Sequence, residues 1–221
     1  MTAKRAVLFD VDGTLVDTNY LHAVAWSEAF AAHGYDVPAS ICHGLIGQGS
    51  ERLVTSALGH PDEAAVATHA DIYGAQLHRL RALPGAADLL RHTKAAGLTV
   101  VLATSASAHD AAHLRAAIDA AEAIDEMTTN DDVDASKPEP DIVQTALDRA
   151  GVRAEDAVFV GDTVWDVEAA SRAGVPCVCV LTGGIAEPVL RDAGAIEVYP
   201  DAAALRAEFG GSALGRLAAR N

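Results

Sequence analysis

The chain has 221 residues, of which 50% are hydrophobic and 21% charged, and this composition is typical of a folded globular protein rather than a disordered one. Its 31 acidic and 16 basic residues give a formal net charge of -15, which would repel nucleic acid and anionic membranes, so neither is an expected partner. No apolar run approaches the roughly 20 residues of a membrane span, and no signal-like segment precedes the first strand, which predicts a cytoplasmic protein. The sequence leaves the oligomeric state open, and a monomer or a homodimer is expected.

The first predicted strand, Ala6–Phe9, ends directly before two carboxylates, Asp10 and Asp12, which one residue separates and Gly13 follows. A strand that ends in this way presents its last side chains at the open edge of a sheet, where ligands bind in α/β proteins. Asp10 and Asp12 are close enough to share one cation with a bound anion. The arrangement suits transfer of a phosphoryl group to a carboxylate.

A long helical segment follows this strand, with no convincing strand between positions 17 and 83. Helices are predicted over 20–33, 50–58 and 64–81. The segment is too long for an ordinary crossover between parallel strands. We therefore expect residues 17–83 to form a separate helical cap, and residues 1–16 and 84–221 to form the core. One larger helical layer beside the sheet is the alternative.

Strands and helices alternate over the rest of the chain. The predicted strands are 99–103, 157–160, 175–180 and 196–199, with helices at 86–96, 108–117, 141–150, 164–173 and 187–193. These strands are continuous apolar runs, as in parallel sheets covered by helices on both faces. The predicted fold class is therefore α/β, a doubly wound, Rossmann-like parallel sheet with an inserted α-helical cap. Residues 210–221 are expected to be a frayed end or a loosely packed helix.

Three further stretches beyond the first loop carry polar residues suited to phosphate and metal chemistry. These stretches contain Thr104 with Ser105, Lys137, and Asp162 with Asp166. Asp162 and Asp166 are four apart on the first turn after a strand, so they should lie on one face. Taken singly, Lys137 could be a solvated charge and Thr104 a helix cap. If the sheet is parallel, all the stretches converge at the same edge as the first loop.

In this order, the four stretches resemble the motifs of the haloacid dehalogenase-like hydrolase superfamily: an Asp-x-Asp-Gly-Thr loop, a Ser/Thr, a Lys and a Gly-Asp-x-x-x-Asp type acidic loop. The resemblance runs from Asp10 to about Gly174, and the predicted cap falls where that of the family falls. It points to the branch that includes phosphoglycolate phosphatase and β-phosphoglucomutase. Dehalogenase members lack an acid at the position of Asp12, because a leaving halide needs no proton, so Asp12 favours phosphoryl transfer.

The resemblance implies a Mg²⁺-dependent phosphatase that hydrolyses a small phosphorylated metabolite through an aspartyl phosphate. It makes Asp10 the nucleophile and Asp12 the acid/base that protonates the leaving group and later activates water. Thr104, Ser105 and Lys137 are the expected phosphate-binding residues. The expected metal-binding residues are Asp10, Asp12 through its backbone carbonyl, Asp162, and Asp166 either as a ligand or as an acceptor for a bound water.

A glycine-rich loop in the predicted cap lies where related enzymes close over the substrate. Its candidate specificity residues are Gly47, Gln48 and Arg52, and His22 on the first cap helix is a fourth. The alternatives are a solvated Arg52 and a packing role for His22.

Two other functions remain open from the sequence. The hexose-phosphate mutase branch usually places a basic residue about three positions after the glycine that matches Gly47, and Ser50 stands there instead, which weakens a mutase interpretation. A signalling receiver domain also forms an aspartyl phosphate but does not turn over external substrates. Receivers are much shorter and have no helical insertion after the first strand. Repeated release of phosphate from a small ester would separate the phosphatase from a receiver.

Overall fold

Six parallel strands form one sheet in the computed structural model, which describes residues 4–220. The strands are β1 (Ala6–Phe9), β2 (Thr99–Ala103), β3 (Glu126–Thr128), β4 (Ala157–Gly161), β5 (Cys177–Val180) and β6 (Glu197–Tyr199). Their spatial order is β3-β2-β1-β4-β5-β6, so the direction of winding reverses between β1 and β4. Such a switch point opens a crevice at the carboxyl ends of the strands, where α/β proteins bind ligands. The predicted doubly wound parallel sheet is confirmed.

Four helices follow β1 and pack on one another. They are α1 (Asn19–Ala32), α2 (Ala39–Leu45), α3 (Ser50–Leu58) and α4 (Glu63–Gly74). They enclose a small apolar cluster of their own, in which Trp26 and Phe30 of α1 pack with Leu53 and Val54 of α3. The division of the chain into cap and core at positions 17 and 83 stays a prediction, and these four helices are called the inserted helices below.

Seven further helices accompany the sheet. They are α5 (Ala86–Ala95), α6 (Ala108–Ile118), α7 (Asp141–Ala150), α8 (Val164–Arg172), α9 (Glu187–Ala193), α10 (Ala202–Ala207) and α11 (Ala213–Ala218). Val7 and Phe9 of β1 enter one buried cluster, and Ala6 and Leu8 enter another. Successive side chains of a strand point to opposite faces, so both faces of the sheet are covered. Of the described helices, none has the length and apolar character to cross a membrane.

Several local expectations differ from the structure. Strand β3 and helix α2 were not predicted, because β3 has only three residues, and α2 follows Pro38 and contains Gly44, residues that favour a turn. The predicted helix over 64–81 ends as an α-helix at Gly74. For the C-terminal stretch, the expected frayed end is wrong as far as residue 220. The alternative, a helix, is present as α11, and it is well packed because Leu214 and Leu217 are buried.

Candidate active site

The four polar stretches meet at the carboxyl ends of neighbouring strands. Asp10 follows β1, Thr104 follows β2 and Asp162 follows β4, and these three strands are adjacent in the sheet. Lys137 precedes α7 and reaches the same edge. The residues brought together are Asp10, Asp12, Thr104, Lys137, Asp162 and Asp166. The predicted convergence of these side chains is therefore what the structure shows, although their chemical roles stay predictions.

Three carboxylates and one lysine form a buried cluster at this edge. Asp10, Asp162 and Asp166 each place an oxygen within 4.8 Å of the others. The ammonium of Lys137, which is 0% exposed, donates to Asp10 Oδ1 at 2.5 Å and to Asp166 Oδ1 at 2.7 Å. A single ammonium therefore faces three acids, and the cluster is short of positive charge.

This shortage of positive charge appears in the pKa values of the acids. Burial raises the pKa of Asp10 to about 7; Lys137 opposes the shift, and the carboxylate of Asp166 adds to it. Burial, with the neighbouring carboxylates of Asp166 and Asp10, also raises the pKa of Asp162 well above its ordinary value. Burial alone would lower the pKa of Lys137, but Asp10 and Asp166 outweigh it and raise the pKa. A bound cation would relieve the repulsion among the acids.

The donor set around Asp162 fits a hard divalent cation. Thr14 Oγ1 donates to Asp162 Oδ1 at 2.7 Å, and Asn19 Nδ2 donates to Asp162 Oδ2 at 2.9 Å. The other side-chain atom of Asn19, Oδ1, is buried with no hydrogen-bond partner among residues 4–220. Oxygen ligands with no histidine or cysteine beside them are those that Mg²⁺ prefers. Asp10 and Asp162, with the free oxygen of Asn19 nearby, are the residues that suit such an ion best.

Asp166 is more constrained than the other two acids. Its Oδ2 accepts hydrogen bonds from the backbone N–H of Thr163 at 3.0 Å and from the Thr163 hydroxyl at 2.7 Å, a capping box at the start of α8. Its Oδ1 is the acceptor for Lys137. Asp166 therefore fixes the position of Lys137, and its oxygens are less available to an ion than those of Asp10 or Asp162.

Two glycines allow the backbone to approach Asp162 closely. A Cβ atom at Gly13, whose φ is +77°, would lie 2.4 Å from Asp162 Oδ2, and one at Gly183 would lie 1.8 Å from the same atom. Any larger residue at either position would displace the carboxylate. Gly13 is part of the first motif, whereas Gly183 was not identified from the sequence. Gly183 lies shortly after β5, so it could have been identified from the rule that site residues follow the carboxyl ends of parallel strands.

The carboxylate of Asp12 faces a different set of groups. Thr18 Oγ1 donates to Asp12 Oδ1 at 2.8 Å and Thr104 Oγ1 donates to Asp12 Oδ2 at 3.0 Å, while His22 Nε2 lies 3.6 Å from Oδ1. Burial would raise the pKa of Asp12, but His22 and the two hydroxyls outweigh it and hold the pKa below its ordinary value. Asp12 is therefore held as a carboxylate, apart from the three-carboxylate cluster.

A ladder of stacked rings from the inserted helices holds His22 in place. His22 stacks on Tyr73 with ring centroids 3.8 Å apart, and its Nδ1 lies 3.2 Å from His69 Nε2. His69 in turn stacks on Trp26 at 3.8 Å. Burial lowers the pKa of His69 to about 2, so this imidazole is neutral at physiological pH. His69 and Tyr73 were given no role from the sequence, because only the packing of α4 against α1 reveals it.

The remaining predicted residues lie around a cavity of about 1000 Å³ between the sheet edge and the inserted helices. Gly47, Gln48, Arg52 and His22 all line it, together with Asp10 and Asp12. Arg52 Nη1 lies 3.2 Å from Glu139 Oε1, and the hydroxyl of Ser105 donates to the backbone oxygen of Gly47 at 3.3 Å. Thr104 and Lys137 are not among the residues that line the cavity. Thr104 contacts Asp12, and Lys137 contacts Asp10.

Asp10 and Asp162 are buried acids with raised pKa values beside one cavity, a combination typical of enzyme active sites. These acids lie at the switch point of a parallel sheet, as the active sites of α/β enzymes do. A family model described as haloacid dehalogenase-like hydrolase matches residues 4–174. The chain belongs to this haloacid dehalogenase-like hydrolase family, as its four motifs predict.

Relatives and solved structures agree with this assignment. Protein CbbY of Cereibacter sphaeroides is 35% identical over 78% of this chain and 82% of its own length. Phosphoglycolate phosphatase of Rhodospirillum rubrum is 31% identical over 91% of this chain and 89% of its own. The crystal structure of a hydrolase from Pseudomonas syringae superposes with a TM-score of 0.89 at 30% identity and covers 94% of this chain and 98% of that one. The predicted enzyme class, a phosphoric monoester hydrolase, is confirmed.

Proposed function

We propose that the protein is a Mg²⁺-dependent phosphatase that hydrolyses a small organic phosphomonoester through an aspartyl phosphate on Asp10. The observation that carries the proposal is the placement of Asp10. Its carboxylate borders the cavity, contacts the buried ammonium of Lys137, and belongs to the acidic cluster that suits a divalent cation. The side chain of Asp10 could therefore act as the nucleophile, take part in a cation site and contact the substrate in the cavity.

The proposed reaction has two displacements at phosphorus. A carboxylate oxygen of Asp10 attacks the phosphorus atom, the ester P–O bond breaks, and the leaving oxygen takes a proton from Asp12. Asp12, now a carboxylate, accepts a proton from water, whose oxygen attacks the same phosphorus atom. The P–O bond to Asp10 breaks, and inorganic phosphate and the free Asp10 carboxylate result.

The surroundings of the two acids support these roles unequally. A bound Mg²⁺ would favour ionised Asp10 and stabilise negative charge on the phosphoryl oxygens. Lys137 holds Asp10 from behind the cavity wall and offsets part of the charge of the cluster. The donors around Asp12 favour its ionised form, which is the form that accepts the proton of water. Its acid role requires uptake of a proton when substrate displaces water from the cavity.

The finer features of the proposal come from the sequence. Thr104, Ser105 and Lys137 as phosphate-binding residues, a cytoplasmic location and a monomeric or homodimeric state all stay predictions. The contacts of Thr104 and Lys137 with the two catalytic aspartates support a role beside the phosphoryl group. A phosphomutase or a receiver domain would return little free phosphate, so phosphate release is the discriminating measurement.

The test is release of phosphate by purified protein from p-nitrophenyl phosphate, with Mg²⁺ or with excess EDTA. Turnover should require Mg²⁺ and return when Mg²⁺ is restored. Asp10→Asn should lower kcat at least about 10³-fold, because an amide is a poor nucleophile. Asp17→Asn is the matched control, since Asp17 is exposed and does not line the cavity. Wild-type turnover in Asp10→Asn would refute the proposal.

A further inference from the structure

We propose that His43 of α2 is a positioning residue for the cation site, on which it acts through the loop that follows β5. The inference rests on the proposed Mg²⁺-dependent phosphatase and adds a residue from outside the four motifs. The loop consists of Leu181–Gly183 and Gly184, and it is called the β5 loop below. Three observations carry the inference: the contact of this loop with Asp162, the hydrogen bond from His43 to the loop, and the stacking that holds the imidazole.

The β5 loop lies directly against the carboxylate of Asp162. A Cβ atom at Gly183 would lie 1.8 Å from Asp162 Oδ2, so the bare backbone of the glycine occupies the space beside this oxygen. The loop is also tied to the first motif, because Thr182 Oγ1 donates to the carbonyl oxygen of Gly13 at 2.6 Å. The position of the loop therefore limits where the carboxylate of Asp162 can lie. An outward movement of the loop would give this carboxylate room to turn away from Asp10.

His43 holds the β5 loop from the side of the inserted helices. Its Nε2 lies 2.8 Å from the carbonyl oxygen of Gly183, and because a carbonyl oxygen only accepts, Nε2 carries a hydrogen and donates it. Asn19 Nδ2 lies farther from the same oxygen, at 3.4 Å, and also donates to Asp162 Oδ2. The hydrogen bond from His43 is therefore the shorter of the two that join the inserted helices to this carbonyl group.

Tyr20 of α1 holds the imidazole of His43 in place. The two rings stack with centroids 5.1 Å apart and with 5° between their planes. Both rings cover Gly184, whose φ is +81°: a Cβ atom there would lie 2.9 Å from the Tyr20 hydroxyl oxygen and 3.1 Å from His43 Nε2. A side chain at this position would push the rings outward. The stacking and the glycine together let His43 reach the Gly183 carbonyl group.

These contacts have a consequence for ion binding. Asp162 shares its cluster with Asp10 and Asp166, and like charges repel the three carboxylates from one another until a cation lies between them. Groups that hold a ligand in its binding position raise the affinity for the ion, because less ordering is needed when the ion binds. Loss of the hydrogen bond from His43 should therefore weaken Mg²⁺ binding. By linkage, bound Mg²⁺ should stabilise the contact of α2 with the β5 loop.

The experiment measures Mg²⁺ binding by thermal unfolding rather than by activity. The Tm of the purified protein is recorded in EDTA and then at rising Mg²⁺ concentrations, and its increase gives an apparent Kd. Asp162→Asn measures the part of the increase that comes from Mg²⁺ bound elsewhere on this acidic protein. His43→Phe keeps a ring on Tyr20 but has no donor, so we expect the Kd for Mg²⁺ to rise about three- to tenfold, as for the loss of one hydrogen bond between neutral groups.

Matched variants separate positioning from a general loss of packing. His43→Gln places an amide N–H close to the position of the imidazole Nε2–H, so it should bring the Kd to within about twofold of the wild type. His33→Phe makes the same substitution at an exposed histidine whose Nε2 contacts Thr68, and it should leave the Kd unchanged. If His43→Phe does not fold, His43→Asn replaces it with the same expectation, because its shorter amide does not reach the carbonyl group.

Hydrogen exchange gives a second measurement that does not depend on turnover. Mg²⁺ should slow the exchange of the backbone amides of α2 in the wild type and in His43→Gln, and much less in His43→Phe.

The outcomes distinguish this inference from the proposed function. An unchanged Kd in His43→Phe, or a Kd in His43→Gln as high as in His43→Phe, would overturn the inference and leave the phosphatase proposal standing. A wild-type protein whose Tm rises no more than that of Asp162→Asn would also overturn it. If that protein in addition released no phosphate from p-nitrophenyl phosphate with Mg²⁺, the proposed function would be refuted as well.

Discussion

Asp10 and Asp12 stand one residue apart at the end of β1, yet their surroundings are opposite. Asp10 lies among buried carboxylates with one lysine, and burial raises its pKa to about 7. Asp12 lies among hydroxyls and an imidazole, which hold its pKa below the ordinary value. The difference teaches that neighbouring acids of one loop acquire opposite pKa shifts from what packs against them. The carboxylates on the Asp10 side could hold a cation that offsets their charge, whereas the carboxylate of Asp12 has its hydrogen-bond partners within the protein.

The largest expected effect concerns the proton carried by Asp12. Asp12→Asn should lower kcat for an alkyl phosphate about 10³-fold, because an amide cannot transfer the proton. Formation of the aspartyl phosphate from p-nitrophenyl phosphate should be slowed less, since nitrophenolate leaves without a proton. Burst kinetics with the two esters would measure this. Equal slowing of the first step for both leaving groups would contradict the acid role.

The buried lysine tests the charge balance on the Asp10 side. Lys137→Met should lower the free energy of unfolding by roughly 3–5 kcal/mol, because it leaves buried carboxylates without their counter-charge. Lys94→Met is the matched control: Lys94 pairs with Asp125 at the surface, and its loss should cost less than about 1 kcal/mol. Urea unfolding measures both. Similar losses for the two variants would show that the cluster does not depend on Lys137.

The cost of ionising Asp10 without a cation should appear in the pH dependence of stability. In the folded protein its pKa is about 7, against an ordinary value of 3.8, so ionisation destabilises the fold as the pH rises between these values. In EDTA at pH 8, Asp10→Asn should therefore be more stable than the wild type by roughly 1–3 kcal/mol. Near pH 4 the difference should vanish. A variant less stable than the wild type at pH 8 would contradict the raised pKa.

The smallest effect is expected from the ring ladder beside Asp12. His22→Phe keeps an aromatic ring on Tyr73 but loses the polar contact with Asp12. Because His22 lowers the pKa of Asp12, this pKa should rise in the variant, and the basic limb of the pH profile of kcat/KM, which reports loss of the Asp12 proton, should move to higher pH by about one unit or less. The control His33→Phe alters an exposed histidine of the inserted region. A basic limb at the same pH in the variant and the wild type would show that His22 does not tune the acid step.

The sequence predicts the sheet well where strands are buried on both faces. The predicted limits of β1 and β2 agree with the structure because each is a continuous apolar run. Strand β3 lies at the sheet edge and contains Glu126, Met127 and Thr128, so it has no such run. Local patterns therefore determine the core strands, while the edge strand β3 depends on pairing with β2.

The same distinction holds for the site. Asp10, Thr104 and Asp162 could be predicted because each follows a strand, and parallel strands bring those positions to one edge. Asn19 and Tyr73 could not, since both lie on the inserted helices. The contact of Asn19 depends on how the start of α1 lies against Asp162, and that of Tyr73 on how α4 packs against α1. No local spacing encodes that packing.

The most direct test of the central claim is chemical trapping of the phosphorylated residue. Asp12→Asn, mixed with Mg²⁺ and p-nitrophenyl phosphate and quenched in acid, should carry a hydroxylamine-labile phosphoryl group on the peptide that contains Asp10. Mass spectrometry of the digested protein locates the group. A phosphoryl group on another residue, or a single turnover of phosphate release with no phosphorylated protein at any time, would contradict the account.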